Sequence, residues 1–348
     1  MSGREAAVSA GLLAAAAVLV ARARVRAARE RRRASPYVPR PLHYWDYPSF
    51  PLVASPLAPE AEFASALAQI REERTQQMLV VANGDDTTAV AACALMLEPK
   101  FLRGGSWVAH LASILPPMQP TIPDMARAYR TLLREALERA RSAGCYKAIF
   151  DSSTPAESEL MLEMGFVLSQ LAMQRDLRPA SARGPAAELP ASPALPKLDG
   201  GQLRDMQLRS LVSSDSAAYI QLLKQLSVAI PMEAKAFDAH LQEARRSRVH
   251  RITVVEDVGC FSISVQRRPF HACGLVGHLE DVVIDSSRRG IGLGRAMVTA
   301  SIFLAEQLGC CQLLLNCKQE NAAFYEKCGF TQASEGGFSI YFDEVGHT

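Results

Sequence analysis

The sequence predicts an α/β fold in which one domain occurs twice along the chain. Residues 278–330 read as strand, glycine-rich turn, helix, strand and helix. A weaker version of this order stands about 165 residues earlier. Between the two, residues 179–201 are rich in Pro and Ala and show no hydrophobic period, which is typical of a linker. At 348 residues the chain is long enough for two domains of ordinary size, at 41–178 and 202–348.

The first 40 residues form a separate segment. Residues 6–21 are almost wholly apolar, and seven Arg follow within 22–33. As a helix this run would span roughly 24 Å, slightly less than a bilayer core. A membrane anchor, a cleaved targeting peptide and a disordered Ala/Arg tail are all compatible with it. The basic cluster follows the apolar run, the reverse of a secretory signal, and would keep the folded part in the cytosol. We therefore expect a cytoplasmic protein, with possible membrane association through 6–21.

The first copy begins with a predicted β-hairpin. Apolar runs at 78–82 and 90–97 flank the turn signal Asn83-Gly84, and the runs at 252–255 and 261–265 match them in the second copy. Further on, residues 144–151 and 162–166 resemble 309–316 and 326–330. These paired segments predict the same order of elements in both copies.

The glycine-rich turn of the second copy predicts an anion site. Gly290, Gly292 and Gly294 allow the backbone to turn tightly after an apolar strand, and a helix is predicted over 295–308. Amides at a helix N-terminus bind phosphate well. Three arginines flank the turn: Arg288, Arg289 and Arg295. The obvious alternative is a Rossmann dinucleotide site, but that requires G-x-G-x-x-G and an acidic residue ending the next strand, where this chain has Cys317-Lys318.

The loop Arg288-Arg-Gly-Ile-Gly-Leu-Gly294 resembles the Q/R-x-x-G-x-G/A loop with which GNAT acyltransferases hold the pyrophosphate of acetyl-CoA. With Gly277-His-Leu-Glu-Asp-Val282 and Phe324-Tyr-Glu-Lys-Cys-Gly-Phe330, the last 130 or so residues resemble the eukaryotic glucosamine-6-phosphate N-acetyltransferases. The resemblance implies tandem GNAT domains, each with a mixed, mostly antiparallel sheet flanked by helices. It also implies direct acetyl transfer to the 2-amino group of glucosamine 6-phosphate, in UDP-N-acetylglucosamine biosynthesis.

The resemblance also assigns roles to individual residues. Tyr325 would protonate or stabilise the CoA sulfur, and Glu280 would accept the proton of the substrate amine or of a relaying water. Acetyl-CoA is the implied co-substrate, without a metal. Its implied contacts are Val282, Val283, Ile284, Arg289, Gly290, Ile291, Gly292, Leu293, Gly294, Arg295 and Asn321, although Asn321 fits a helix cap equally well. The implied contacts to the amino sugar within the second copy are Ser227, Arg268, His271, Glu280 and Asp281.

The two copies have lost complementary parts of the family pattern. The family carries Tyr-Lys and then Asp on the strand after the CoA helix, and a basic residue near its C-terminus. The second copy has Cys311, Gln312 and Asn316 instead, and no Arg at 338–342. The first copy keeps the pattern as Tyr146, Lys147, Asp151 and Arg175, but has Ala112-Ser113 for Glu280-Asp281, a proline-rich 116–120 for the loop, and Leu160 or a neighbour for Tyr325. The family's enzymes are dimers, so we expect a fused pseudo-dimer with one site built from both halves.

Charge and cysteine content exclude other classes. Residues 1–40 hold nine Arg and two Glu, a net +7, so a total of +2 leaves −5 elsewhere, and nucleic-acid binding by the folded part is not expected. The eight Cys lack metal-ligand spacing and are expected to be free thiols. Two alternatives to the amino-sugar activity remain. One is a GNAT enzyme acting on another small amine or a protein N-terminus; the other is an inactive, membrane-tethered CoA-binding scaffold.

Overall fold

A computed structural model describes residues 37–341, with gaps at 50–58, 85, 87, 116–124, 153–154, 178–187, 192, 199–202, 204, 228–230, 269–273 and 334–335. The apolar run at 6–21, the proline-rich 116–120 and His271 therefore lie outside the described residues. In the part of the chain that is described, no helix combines the length and the hydropathy that a membrane span needs.

The first half contains six strands and three helices in its described residues. Strand β2 and strand β3 form the predicted hairpin, and β3 is buried along its whole length. The elements are β1 (Val38–Pro41), α1 (Glu60–Glu72), β2 (Gln76–Ala82), β3 (Ala89–Pro99), β4 (Trp107–Leu115), α2 (Met125–Ser142), β5 (Cys145–Ser152), α3 (Pro155–Glu163) and β6 (Val167–Asp176).

The second half repeats this order after a short edge strand and two helices. The predicted helix over 295–308 is found two residues earlier at its start, and the predicted strand 312–317 is found as expected. The elements are β7 (Leu208–Ser210), α4 (Ser216–Leu223), α5 (Ala234–Arg246), β8 (His250–Val255), β9 (Gly259–Arg268), β10 (Gly274–Ile284), α6 (Leu293–Gln307), β11 (Gln312–Cys317), α7 (Ala322–Lys327), β12 (Thr331–Gln332) and β13 (Gly336–Tyr341).

All described strands join one sheet of 13 strands, in the order β1-β2-β3-β4-β5-β13-β6-β11-β10-β9-β8-β7, with β12 beside β6. Two pairs in this sheet are parallel, β4 with β5 and β10 with β11, and the other recorded pairs are antiparallel. Helices pack on the sheet and bury an apolar core in each half. The predicted fold class, a mixed and mostly antiparallel sheet flanked by helices, is confirmed.

The two halves exchange their last strands. Strand β6, from the first half, pairs with β11 of the second half, while β13, from the end of the chain, pairs with β5 of the first half. The two exchanged strands also pair with each other. Each half therefore completes its sheet with a strand of the other half. A domain boundary at the linker 179–201 assigns β6 to the first domain and β13 to the second, although each strand pairs with the other domain.

The registers relate the halves by an approximate twofold. His110 pairs with Ile149 in the first half as His278 pairs with Leu314 in the second. The two imidazole rings meet near the relating axis, with centroids 5.3 Å apart. By the same registers, Lys147 occupies the position of Gln312.

Phe101 fixes the contact between the halves. This residue follows β3 of the first half, yet its ring is buried in the second half beside Phe237, at a centroid distance of 4.7 Å, and Tyr219, at 5.5 Å. Burying an aromatic side chain of this size stabilises an interface by roughly 1.5–3 kcal/mol. Hydrogen bonds cross the same boundary, from Gln76 Nε2 to Val265 O at 2.6 Å.

The cysteines depart from expectation at one position. Cys311 is disulfide-bonded. The expectation of free thiols throughout is therefore wrong at Cys311. The other described cysteines are free: Cys93, Cys145, Cys260, Cys310, Cys317 and Cys328.

Candidate active site

The predicted acidic pair lies at a bulge in β10. The register between β9 and β10 shifts between Glu280 and Val283, which is the signature of a β-bulge. Asp281 has a φ of +52°, a left-handed conformation that Asp tolerates better than most residues. The bulge turns both carboxylates toward the first half, where the side chains of Glu280 and Asp281 are 16% and 10% exposed.

The pairing of β10 with its parallel neighbour β11 ends just before this bulge. Pairing with β11 is recorded over three residues and ends at His278 and Leu314, although β10 continues to Ile284. On its other edge the strand stays paired to β9 through Val283 and Ile284. The predicted acetyl-CoA contacts at 282–284 thus line a gap between two strands, the place where a pantetheine arm can reach backbone groups.

The glycine turn is built as an open cradle. Gly290 and Gly292 have φ of +82° and +87°, and an added Cβ at either position would meet nothing within 4 Å. Gly292 caps α6, whose first amides point into the turn. A Cβ at Gly294 would contact Phe324 at 3.4 Å. The remaining predicted contacts surround this cradle: Arg289 and Arg295 are exposed, Ile291 is half-buried and Leu293 is buried.

Tyr325 projects from α7 toward the same gap. Its ring packs edge-on against Phe324 and Phe330, at centroid distances of 5.1 and 6.0 Å. Burial raises the pKa of Tyr325 well above its ordinary value, and Cys317 and Glu280 add to this rise. The hydroxyl therefore stays protonated at neutral pH, as a proton donor requires. Asn321 stands at the start of α7, where its side chain is exposed and makes no capping hydrogen bond.

The first half brings its predicted residues close to Glu280. Lys147 Nζ lies 5.9 Å from the ring centroid of Tyr146 and 6.0 Å from that of Tyr341 on the exchanged strand β13. Burial lowers the pKa of Lys147, with Glu280 opposing this effect. Burial likewise raises the pKa of Asp151, whose side chain lies beside Asn316. Residues of both copies thus meet at one place.

Sequence reasoning missed the cation at the centre of this site. Lys100 is 3% exposed, and its Nζ lies 3.0 Å from Asp281 Oδ2, 3.3 Å from Glu280 Oε2 and 3.0 Å from Glu98 Oε1. Burial alone would raise the pKa of Glu98, but Lys100 and His110 lower it below its ordinary range. The signal in the sequence was Glu98-Pro-Lys100 at the end of an apolar run, a pattern more often solvated than buried.

His110 and His278 differ although their positions are equivalent. His110 Nε2 lies 2.8 Å from Glu98 Oε2. Burial lowers the pKa of His110, but this hydrogen bond and the charges of Glu98 and Glu280 together outweigh burial and raise it. His278 has Gln266 as its partner at 3.3 Å, and burial lowers its pKa well below the ordinary value. His278 is therefore neutral and structural, whereas His110 carries charge more readily.

One group among the described side chains has the donors for a metal ion, namely Glu98, His110 and Glu280, with ligand atoms within 4.8 Å of one another. Lys100 Nζ lies within ion-pair distance of both of these carboxylates. The ammonium of Lys100 therefore already balances the charge of these carboxylates, and a metal ion would have to displace it.

The remaining predicted acceptor residues are spread more widely. Arg268 ends β9, donates to Gln266 Oε1 at 2.9 Å and faces Asp151; burial lowers the pKa of Arg268 to about 10. Arg175 donates to Cys328 O at 2.6 Å, so its recorded contact is at the end of α7 rather than at the carboxylates. Ser227 follows α4, next to Gln225, which bonds Asp285 at the end of β10.

Comparisons with known proteins found similar sequences and a similar structure that match the second half of the chain in extent. A model described as an acetyltransferase (GNAT) domain matches residues 248–332. Glucosamine 6-phosphate N-acetyltransferase 1 of Oryza sativa subsp. japonica is 36% identical over 152 residues, covering 41% of this chain and 92% of the rice protein. Glucosamine 6-phosphate N-acetyltransferase of Arabidopsis thaliana is 35% identical over 145 residues, 39% and 97% of the two chains. The crystal structure of the Arabidopsis enzyme aligns with a TM-score of 0.38 at 35% identity, over 40% of this chain and 99% of that one.

Proposed function

Because this chain belongs to the glucosamine 6-phosphate N-acetyltransferase family of GNAT acetyltransferases, we propose that it moves acetyl from acetyl-CoA to the 2-amino group of D-glucosamine 6-phosphate. The product would feed UDP-N-acetylglucosamine synthesis. The observation that carries the proposal is the electrostatic interaction of Glu280 with Tyr325 and with Lys147 of the other half. Acidic, proton-donating and cationic groups are the set that acetylation of an amino-sugar phosphate requires.

The second half has the features needed to hold acetyl-CoA. The open cradle at Gly290 and Gly292 supplies amides beside a helix N-terminus, with Arg288, Arg289 and Arg295 around it for the phosphates. The gap beyond His278 suits the pantetheine arm. When bound there, acetyl-CoA supplies an activated acetyl thioester, and Tyr325 lies on the α7 side of the gap.

Two residues of the second half would handle protons. Glu280 is partly exposed within a largely buried cluster, where its carboxylate can accept a proton from the acceptor ammonium directly or through a water. Tyr325 keeps its proton at neutral pH and can donate it to the departing thiolate. Both roles require the acceptor amine to lie between these side chains.

The first half would bind the acceptor's phosphate. Lys147 is half-buried, and no carboxylate of the described residues lies within ion-pair distance of its Nζ. A cation in such surroundings is poorly solvated, so a dianionic phosphate gains a strong partner and would stabilise the charged form of Lys147. We propose that Tyr146, Asp151, Arg175 and Arg268 contribute to this acceptor pocket and that the chain works as a pseudo-dimer with one complete site.

The alternatives make different demands on this region. A peptide acceptor needs an open groove without phosphate-binding cations, and an inactive scaffold has no use for a proton donor beside Glu280. A different small anionic amine fits the cluster nearly as well as glucosamine 6-phosphate, because the cations recognise charge rather than the sugar ring.

The test is release of CoA from acetyl-CoA by the full chain with three acceptors: glucosamine 6-phosphate, glucosamine and an N-terminal peptide. We expect turnover with the phosphorylated sugar, and kcat/KM at least about tenfold lower with glucosamine, since one charge-assisted contact is lost. Turnover with the peptide alone would establish the protein acetyltransferase alternative. Acetyl-CoA binding without turnover on any acceptor would support the scaffold.

A further inference from the structure

Lys100 connects the half that lacks the glycine turn to the acidic pair of the other half. An ammonium group has three N–H donors. Here three carboxylates surround it within 3.3 Å, those of Glu98, Glu280 and Asp281. A lysine so deeply buried is rare unless it is paired, and this one has a partner for each donor.

The segment that carries Lys100 is held firmly on both sides. The backbone N–H of Lys100 donates to Ser106 O at 2.8 Å, which closes the turn after β3. The next residue, Phe101, is buried in the second half against Phe237 and Tyr219. The ammonium is therefore fixed with respect to β10 and not merely to its own half.

The place it meets on β10 is conformationally unusual. Asp281 stands at a φ of +52° within the bulge, and Glu280 immediately precedes it. Two adjacent carboxylates in a poorly solvated site repel each other, and this repulsion favours rotation of either side chain away into solvent. Lys100 bonds both, which opposes that rotation and fixes the bulge at the same time.

We propose that Lys100 is a positioning residue for acetyl transfer, which holds the Glu280 carboxylate toward the acceptor amine and stabilises the bulge at Asp281. The role assigned to Glu280 rests on the proposed function. Lys100 itself touches no reacting atom, because its three donors are used by protein carboxylates. The first half thus positions the Glu280 carboxylate, the proposed proton acceptor of the second half.

The charges around the cluster favour this role. Burial would lower the pKa of Lys100, but Asp281, Glu98 and Glu280 raise it well above its ordinary value, so the ammonium is permanently charged. Burial raises the pKa of Asp281, and Lys100 opposes that rise. The other titratable groups that interact with the cluster are His110, Lys147, Tyr146, Asp151, Tyr219, His250, Cys260, His278 and Tyr325.

The main variant is Lys100→Met, which keeps the length of the side chain and removes its charge. We expect kcat/KM for the acceptor to fall roughly 100-fold, through kcat more than through KM, with the Kd of acetyl-CoA changed by less than about threefold. Without the ammonium the neighbouring carboxylates repel one another more strongly, so they bind protons more readily. The acid limb of the kcat/KM profile should therefore move up by about one pH unit, since activity depends on a deprotonated base.

Three further variants separate positioning from simple charge balance. Lys100→Arg keeps the cation and should restore the acid limb, with partial recovery of kcat. The double variant Glu98→Gln, Lys100→Met also removes one buried carboxylate. It should be more thermally stable than Lys100→Met, but the acid limb of its kcat/KM profile should stay shifted. Lys235→Met removes an exposed lysine of α5 that has no recorded contact with the cluster, and this variant should behave as the unaltered chain.

Several results would overturn the proposal. A Lys100→Met chain with an unshifted acid limb would exclude positioning of the base, and so would full recovery of rate and limb in the double variant. If Lys100→Met does not fold, the test is Lys100→Arg. This variant keeps the cation, so a shift in the acid limb of its kcat/KM profile would contradict the proposal. Activity assays of the unaltered chain separate this inference from the proposed function. Absence of turnover on glucosamine 6-phosphate would contradict the proposed function alone. The variants would then be compared on whichever amine the unaltered chain acetylates.

Discussion

The two halves of the sheet repeat the same strands and helices but carry different side chains at equivalent positions. The hydrogen bond from Phe166 N to Met161 O matches that from Phe330 N to Tyr325 O, which makes Met161 the counterpart of the predicted proton donor. The sequence suggested Leu160 or a neighbour, and the structure identifies the neighbour. Met161 is fully buried and apolar, whereas Tyr325 is half-buried beside the strand gap.

The opposite asymmetry holds for cations. The first half has Lys147 where the second has Gln312, and Lys100 meets the acidic pair of the other half. The packing positions are kept in both copies, because each half must still bury its core and complete the sheet of the other. The polar positions differ, as we expect if a single site uses each group only once. We expect loss of either half to be more damaging than loss of any single residue.

Removing the first half should have the largest effect. A chain of residues 202–348 loses β6, the neighbour of β11, and leaves β13 without its partner β5. It also loses Lys100 and Lys147. Because exposed strand edges are unstable and prone to aggregate, we expect no measurable acetylation and a loss of cooperative unfolding by circular dichroism. Co-expression with residues 37–178 should restore acetylation and cooperative unfolding. A second half that is folded and active alone would show that the first half is not needed for the site.

The sequence could predict the elements that depend on local patterns. The hairpin at 78–97, the helix after the glycine turn and the strand at 312–317 were all found. These follow from alternation, from glycine at positive φ and from helical periodicity, which act over a few residues. The fold class followed from their order.

The exchanged strands and the ion cluster could not be predicted in the same way. Lys100 and Glu280 are 180 residues apart, and their contact depends on how the two halves pack. No local pattern distinguishes a buried lysine at a strand end from a solvated one. The exchange of β6 and β13 likewise depends on which edge of each sheet is free to pair. Antiparallel pairing with either half would satisfy the same side-chain alternation, so the sequence pattern does not distinguish the two pairings.

Acetyl-CoA binding should depend on the second half alone. Gly294→Asp places a carboxylate beside the expected phosphate site at the start of α6, and its Cβ contacts Phe324. We expect acetyl-CoA affinity to fall roughly 100-fold by calorimetry, because an anion at this helix N-terminus repels phosphate. Gly294→Asn has nearly the same size without charge and should cost about tenfold or less. Equal affinities of the two variants would show that the turn does not bind the phosphates.

Turnover should depend on the Tyr325 hydroxyl, which Met161 lacks. Tyr325→Phe keeps the ring and its contacts with Phe324 and Phe330. We expect kcat to fall by about 100-fold, with acetyl-CoA affinity and Tm nearly unchanged, since a proton donor is lost while packing is preserved. Steady-state kinetics and thermal unfolding of the same preparation check this. A drop in Tm that parallels the loss of rate would place Tyr325 in the core instead.

Recognition of the acceptor phosphate should depend on the first half, and this is the smallest expected effect. Lys147→Ala removes the half-buried cation that faces Glu280, so KM for glucosamine 6-phosphate should rise about 10- to 100-fold, equivalent to about 1.5–3 kcal/mol for one charge-assisted contact. Acetyl-CoA affinity should not change. Gln312→Ala is the matched control, because it alters the equivalent position of the other half, and we expect less than about threefold in KM. Similar KM values for both variants would mean that the phosphate is bound elsewhere and that Lys147 serves only packing.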